Sequence, residues 1–319
     1  MNRTKRRVLR FAMVLGLIVL VPACLVFTAI RRQQQNVRLA EAVYLENEAR
    51  VQALLAAHAD PNALMQPPRL TLGDLLERAF QPESHRGHRS TILMYAANHC
   101  NERILRSLLD AGGDVHDETS YGFTALDIAV DSFHHRNVAL LVQYGSNVNG
   151  SGPPITPLQQ AISHSPNLED VSCLLAHGAD PNRHAEMENS PLNYAVDQGD
   201  PATVSAPVRA GATVNVRKLN VGEFGYTALM SAGRNGNTKT VEVLLRAGAN
   251  IDATVATGET ALIYAAESGQ REAVVTLLKA GADRTLRCKD GETAEDQAVT
   301  HGFKEVARLL YIYRPAAAK

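Results

Sequence analysis

The stretch TGETALIYAAESGQ, residues 257–270, closely matches FGYTALMSAGRNGN, residues 224–237. The Thr-Ala-Leu motifs that they share begin at Thr227 and Thr260, which are 33 residues apart. Similarity at a fixed spacing of about 20 to 50 residues is typical of a chain built from stacked repeats. We therefore expect the fold to follow from one unit that is repeated along the chain.

The Thr or Ser that opens this motif recurs through most of the sequence. It is found at Thr91, Thr124, Thr156, Ser190, Thr227, Thr260 and Thr293, with steps of 33, 32, 34, 37, 33 and 33 residues. An eighth unit, which lacks this Thr, fits upstream over Leu39, Ala42 and the stretch VQALLAAHADPN at 51–62. The sequence thus predicts about eight units.

Each unit carries the signals of two short helices. The hydroxyl of Thr or Ser can accept a hydrogen bond from a free N–H at a helix start. Pro157 and Pro191 follow at the first helical position, where a missing N–H costs nothing. Leu and Ala then recur at helical spacing. A second apolar run, such as 241–245, ends at a Gly such as Gly248, which suits a left-handed C-cap.

This pattern resembles the ankyrin repeat over about residues 37–312. The resemblance implies an all-α solenoid of helix–turn–helix units with β-hairpin loops, in which neighbouring units stabilise one another. We place this domain at 37–315. The family's Thr-Pro-Leu-His motif lacks its His throughout, so we expect some rigidity of the hairpin network to be missing. The His position holds Met94, Asp127, Gln159, Asn193, Met230 and Ile263.

Two regions of the series are irregular. Residues 63–89 form an insertion between the first unit and the Thr91 unit. The Ser190 unit has Pro207 inside its second helix, where other units place Leu. An interior Pro costs roughly 3 kcal/mol. We therefore expect the second helix of the Ser190 unit to exchange its amide hydrogens faster than the neighbouring helices.

The N-terminus predicts a membrane anchor. Residues 11–30 are 20 residues without a charge, enough for a helix to cross a bilayer. The larger basic cluster lies upstream, which favours a cytoplasmic tail at 1–10. A linker at 31–36 would then lead to repeats on the other side. This organisation predicts a single-pass protein of a bacterial inner membrane, with its repeats in the periplasm.

Other interpretations of the N-terminus stay open. The stretch LVPAC, which ends at Cys24, is similar to a bacterial lipoprotein cleavage box, and a cut there would leave a lipidated Cys24. A cleaved signal peptide is the second alternative. Both of these alternatives also export the repeats, whereas a cytoplasmic orientation would not.

Composition and motifs argue against several classes of function. Seven of the 32 Lys and Arg residues fall within 1–32, which hold no acid, so the remainder is net acidic. That remainder lacks the basic footprint of a nucleic-acid binder. Motifs of common hydrolases, metalloproteases and nucleotide-binding loops are missing from the sequence. We expect no enzyme activity, no cofactor and no small-molecule substrate.

A metal site is the weaker interpretation of one His and Cys group. His85, His88, His99 and Cys100 include a ligand-like spacing of three between the first two. His99 and Cys100, however, fall at a predicted turn between helices, where polar residues are common. Local loop histidines are therefore favoured, and a metal-binding sensor module stays an alternative function.

Apolar residues at the predicted hairpin tips suggest a protein-binding edge. They come just before the helix-capping Thr or Ser of consecutive units: Tyr121, Phe123, Ile155, Met187, Phe224 and Tyr226. Aromatic residues clustered at a surface indicate a contact hot spot. Acids behind the tips, such as Asp127 and Asp197, could rim such a patch, although a plain solvated face is the more common role of such charges. The alternative is that these side chains fold back and pack hairpin on hairpin.

The sequence thus predicts a membrane-tethered scaffold that binds a partner protein through its hairpin tips and concave face. An alternative is an immunity or accessory factor that covers or supports a client enzyme with the same surface. Tyr95, Tyr194 and Tyr264 share one position of the first helices, and core packing is the favoured interpretation of that position.

Overall fold

The computed structural model describes residues 26–65, 90–150, 155–163, 167–183, 189–218 and 225–313. All regular elements within these residues are helices, as the sequence predicts. They fall into two compact units, with the boundary between Gly145 and Ser146.

The first unit holds the helices up to Gly145. They are α1 (26–44), α2 (Glu48–Ala56), α3 (Ile92–His99), α4 (Glu102–Asp110), α5 (Ala125–Asp131) and α6 (His135–Gln143). Helix α2 packs against α4, α3 against α5, and α4 against α6. From α2 onward, these helices therefore pack against the equivalent helix of the next repeat, as expected of a repeat stack.

Helix α1 bears on the predicted anchor. It contains residues 26–30 of the predicted span and the whole of the predicted linker at 31–36, which is helical. The rest of the span, 11–25, and nearly all of the insertion at 63–89 lie outside the described residues. Among the helices that are described, none combines the length and the apolar composition needed to cross a bilayer.

The second unit repeats one helix pair five times. Its helices are α7 (Pro157–Ser163), α8 (Leu168–Ala176), α9 (Pro191–Gln198), α10 (Pro201–Arg209), α11 (Ala228–Arg234), α12 (Thr238–Arg246), α13 (Ala261–Glu267), α14 (Arg271–Lys279), α15 (Ala294–Thr300) and α16 (Lys304–Ile312). The first helices of the pairs pack on one another in chain order, and so do the second helices. Helix α10 continues through Pro207 and is nine residues long, the same length as α12.

The predicted Thr caps are present at the starts of the first helices. The Thr227 hydroxyl accepts a hydrogen bond from the Met230 amide at 3.3 Å, and Thr260 does the same for Ile263 at 3.3 Å. Several residues at the missing His position return a bond to the cap. The Met230 sulfur accepts from the Thr227 amide at 3.4 Å. The side-chain Oε1 of Gln159 accepts from the Thr156 amide at 2.9 Å. Acceptors other than His therefore close these caps.

Asparagines after the C-cap glycines link consecutive repeats of the second unit. Asn182 donates to the Gly211 carbonyl at 3.1 Å and accepts from the Thr213 amide at 2.7 Å. Asn215 makes the same pair of bonds to Gly248 and Asn250. These bonds hold the hairpin loops of neighbouring repeats in one row, which fixes where the loop tips lie.

Candidate functional site

The hairpin tip before Thr124 is a tight turn with two outward aromatic rings. The Thr119 amide donates to the Phe123 carbonyl at 2.9 Å, and the Gly122 amide donates to the Thr119 carbonyl at 3.0 Å. Gly122 has a φ of +80°, which a turn of this shape requires. Tyr121 is 65% exposed and Phe123 is 38% exposed. We call residues 119–123 the aromatic tip.

Two tips of the second unit have the same backbone but polar side chains. The Val255 amide donates to the Glu259 carbonyl at 3.1 Å, and the Cys288 amide donates to the Glu292 carbonyl at 3.0 Å. We call 255–259 and 288–292 the polar tips. They place Thr257 and Asp290 where the aromatic tip has Tyr121. The turn therefore accepts different residue types at this position.

Tyr226 behaves differently from the tip aromatics. The Lys218 amide donates to its carbonyl at 2.7 Å, which closes the base of that hairpin as in the other tips. The ring itself lies against Tyr264 of α13, with 4.7 Å between ring centroids, and the Arg234 guanidinium is 5.9 Å from its centroid. Burial, followed by a hydrogen bond with Tyr226, raises the pKa of the Tyr264 hydroxyl. Tyr226 therefore packs on a helix of the next repeat, and not hairpin on hairpin as in the alternative.

The other predicted contact residues are only partly described. Ile155 is exposed, beside the start of α7. Met187 and Phe224 lie outside the described residues. The structure thus presents Tyr121, Phe123 and Ile155 to solvent and packs Tyr226, and the use of these residues in binding stays a prediction.

The acids behind the tips have roles of their own. Asp127 is only 5% exposed and accepts from both the amide and the hydroxyl of Thr124, at 2.8 and 2.7 Å. Burial raises the pKa of this carboxyl. Asp197 binds the buried Lys218 ammonium at 2.7 Å. The hypothesis that Asp127 rims a binding patch is therefore wrong, because its side chain is buried and hydrogen-bonded to Thr124.

The two described members of the His and Cys group, which was the alternative metal site, make other contacts. Cys100 is buried, its thiol donates to the Val43 carbonyl at 3.5 Å, and burial raises its pKa to about 12. The His99 ring lies against the Tyr95 ring, with 4.5 Å between ring centroids and an interplanar angle of 41°. His85 and His88 lie outside the described residues. Within the described ranges, no three His, Cys, Asp or Glu side chains converge on a metal-sized site.

A cavity of about 440 Å³ lies at the opposite end of the first-unit helices, beside the turns that join helix pairs. It is lined in part by Phe133, which is 47% exposed and has a φ of +60°. Four later repeats have glycine at this position: Gly199, Gly236, Gly269 and Gly302. Its other lining residues include both Glu and Arg side chains. The balanced charge favours no ligand class. The sequence signal for this feature is a Phe in a position otherwise suited to glycine.

Comparison with known proteins agrees with this architecture. The family model described as "Ankyrin repeats (3 copies)" matches residues 39–152, 192–288 and 229–317, which is more than half of the chain. The B-cell lymphoma 3 protein homolog of Mus musculus is 29% identical over 141 residues, and Ankyrin repeat and SOCS box protein 6 of Homo sapiens is 31% identical over 135 residues. These alignments cover 42% and 39% of this chain and 31% of each relative, so the chain spans about a third of the length of the relatives that it matches.

Proposed function

Because the chain belongs to the ankyrin-repeat family, we propose that it is a scaffold that binds a partner protein, with the aromatic tip as a principal contact. No bond is made or broken in this function. The partner is held by shape and by burial of apolar surface on repeats that already have their final form.

The observation that carries this proposal is the exposure of Tyr121 and Phe123 on a turn whose backbone is fixed by hydrogen bonds. A buried aromatic side chain removes roughly 150–250 Å² from water. A ring on a rigid turn loses little conformational freedom when it binds, since the backbone is already ordered. Aromatic residues of this kind dominate the energy of many protein interfaces.

The polar tips provide a matched control for the experiment. Tyr121 and Phe123 are both changed to Ser in one variant, and Asp290 and Glu292 are both changed to Ser in the other. The two variants alter the same two positions of the same type of turn. Each full-length variant is expressed in the native cells, cross-linked and captured, and the captured proteins are compared with those of wild type.

We expect one protein to be captured by wild type and by the Asp290/Glu292 variant and to be lost from the Tyr121/Phe123 variant. Since hot-spot residues contribute about 2 kcal/mol or more each, the purified pair should show an affinity at least roughly 100-fold lower for the Tyr121/Phe123 variant. Equal capture by all three forms would reject the aromatic tip as a contact. Thermal unfolding of each variant checks that the repeats stay folded.

We also propose that residues 11–30 anchor the chain in a membrane, with the repeats on the side away from the basic tail at 1–10. The uncharged stretch of 20 residues and the upstream basic cluster support this. Alkaline carbonate should leave the full chain in the membrane and release a chain without 11–30. A phosphatase fused to the C-terminus should be active only if the repeats are exported, and Cys24→Ser tests the lipoprotein alternative. Release of the intact chain by carbonate would reject the anchor.

A further inference from the structure

One position of the first helices stands out by its charge. It lies seven residues after the capping Thr or Ser, at the end of the first helix. Its occupants in chain order are Asn98, Asp131, Ser163, Asp197, Arg234, Glu267 and Thr300. Arg234 brings a cation to a position that is otherwise acidic or neutral, and the repeats on either side of it carry Asp197 and Glu267.

The Arg234 side chain is exposed and has a fixed aromatic support. Its guanidinium carbon is 5.9 Å from the centroid of the Tyr226 ring. The Tyr226 ring in turn rests on Tyr264 at 4.7 Å with an interplanar angle of 45°, and Tyr264 is only 6% exposed. We call Tyr226, Tyr264 and Arg234 the tyrosine–arginine platform. A cation near an aromatic face is held there by the negative face of the ring.

In the described part of the chain, Arg234 is not ion-paired with either flanking acid, Asp197 or Glu267. The Glu267 charge acts instead on the Tyr264 hydroxyl, whose pKa it helps to raise after burial and Tyr226.

Asp197 is bound by Lys218 through both carboxylate oxygens, at 2.7 and 2.9 Å. Among the described residues, Arg234 makes no ion pair with a carboxylate, whereas Arg246 on the second helix α12 is paired with Glu242 at 3.1 Å. The donors of Arg234 are therefore available to a ligand, while one neighbouring acid is already occupied.

We infer that the tyrosine–arginine platform binds a carboxylate of the partner protein, carried by an Asp or Glu side chain. This inference rests on the proposed function, because it names a chemical group that the proposed partner protein would carry. The planar guanidinium matches a carboxylate with two parallel N–H···O bonds, which a Lys ammonium does not reproduce. The half-buried Tyr226 ring supplies apolar surface beside that bond, with the buried Tyr264 ring as its support. Tyr and Arg together are typical of interface hot spots.

The test uses the full chain in a mild detergent and a phage-displayed library of random ten-residue peptides. Peptides selected on wild type are resynthesised with each Asp or Glu changed to Asn or Gln. Binding of each pair of peptides is then measured to wild type, to Arg234→Gln and to Arg246→Gln. The last variant removes the same charge from a paired Arg on a second helix. Thermal unfolding checks that all variants fold.

We expect the selected peptides to share one Asp or Glu whose neutral replacement weakens binding to wild type and to Arg246→Gln about tenfold or more. The same replacement should change binding to Arg234→Gln less than about twofold. Arg234→Lys should recover only part of the difference, since it keeps the charge and loses the planar fork.

Several results would overturn the inference. They are a selection that enriches no peptide, peptides without a preferred acid, and an acid whose contribution survives in Arg234→Gln. Competition by inorganic phosphate that is stronger than competition by free acetate would reassign the platform to a phosphoryl group. Peptides that bind the tips without an acidic preference would reject this inference alone. If neither peptides nor cross-linked proteins bind the repeats, the proposed function fails as well.

Discussion

The Thr124 repeat, residues 119–143, and the Thr293 repeat, residues 288–312, have nearly the same backbone in very different surroundings. Both begin with a tip whose first residue donates its amide to the carbonyl four residues on, at 2.9 Å in the first and 3.0 Å in the second. In both, an Asp three residues after the Thr accepts from the Thr amide, at 2.8 Å for Asp127 and 2.9 Å for Asp296. The local sequence is therefore sufficient to copy the backbone of the unit.

The surroundings change the chemistry of these equal caps. The pKa of Asp127 is raised because the carboxyl is buried, whereas the pKa of Asp296 is lowered by the hydrogen bonds from Thr293, with Arg287 3.7 Å away. The tips differ in their residues as well, with Tyr121 and Phe123 in one and Asp290 and Glu292 in the other. The comparison teaches that the repeat motif determines the backbone, while the position in the chain determines what each side chain can do.

The largest effect is expected where a tip touches the next tip. A Cβ added at Gly258 would lie 3.1 Å from the Cys288 Cα and 3.3 Å from the Arg287 carbonyl oxygen, whereas one added at Gly291 meets no atom within 4 Å. Both glycines have positive φ, so Ala at either position costs about 1–2 kcal/mol in conformation alone. We expect Gly258→Ala to cost about 1–3 kcal/mol more than Gly291→Ala, because of this crowding.

Urea unfolding of the two variants, followed by circular dichroism, measures this difference. Hydrogen exchange of the Cys288 and Lys289 amides reports whether the loss is local to the two tips. Equal destabilisation by the two substitutions would mean that the polar tips do not pack on one another as closely as the distances indicate.

A smaller effect is expected at the turn between the two helices. Phe133 has a φ of +60° and Gly302, at the same position of its repeat, has a φ of +82°. A residue with a Cβ pays about 1–2 kcal/mol for this conformation. We expect Phe133→Gly to be more stable than Phe133→Ala by about 1 kcal/mol, and Gly302→Ala to lose a similar amount.

The Ala and Gly variants at position 133 both remove the Phe side chain, so lost packing cancels from the comparison. Thermal unfolding of all three variants gives the values. If the Ala and Gly variants at position 133 have the same stability while Gly302→Ala is destabilised, the turn relaxes to negative φ once Phe133 is removed.

Much of this architecture could be predicted because its signals are local. Thr227 caps its helix through a residue only three positions away, and Gly248 has the positive φ expected of a C-cap. The outcome for Tyr226 could not be predicted, because its ring packs on Tyr264 in the next repeat. The placement of Arg234 near the Tyr226 ring is likewise seen only in the structure.

The smallest effect is the opposite pH dependence expected of the two Asp residues. A raised pKa in the folded state means that the folded protein holds the Asp127 proton more tightly than the unfolded chain does. Its contribution to stability therefore falls as the pH rises from the unfolded pKa through the folded pKa. For Asp296, whose folded pKa is lowered, the contribution is full above the unfolded pKa and is lost as the pH falls through the folded pKa.

These signs can be tested by urea unfolding of wild type, Asp127→Asn and Asp296→Asn between about pH 3 and 7, a range that includes the ordinary Asp pKa. As the pH rises, wild type should lose stability relative to Asp127→Asn and gain stability relative to Asp296→Asn. The gain should be below about 1 kcal/mol, because solvent screens the half-exposed Asp296. If wild type gains stability relative to both variants as the pH rises, then hydrogen bonding from the Thr, which the two caps share, outweighs the burial of Asp127.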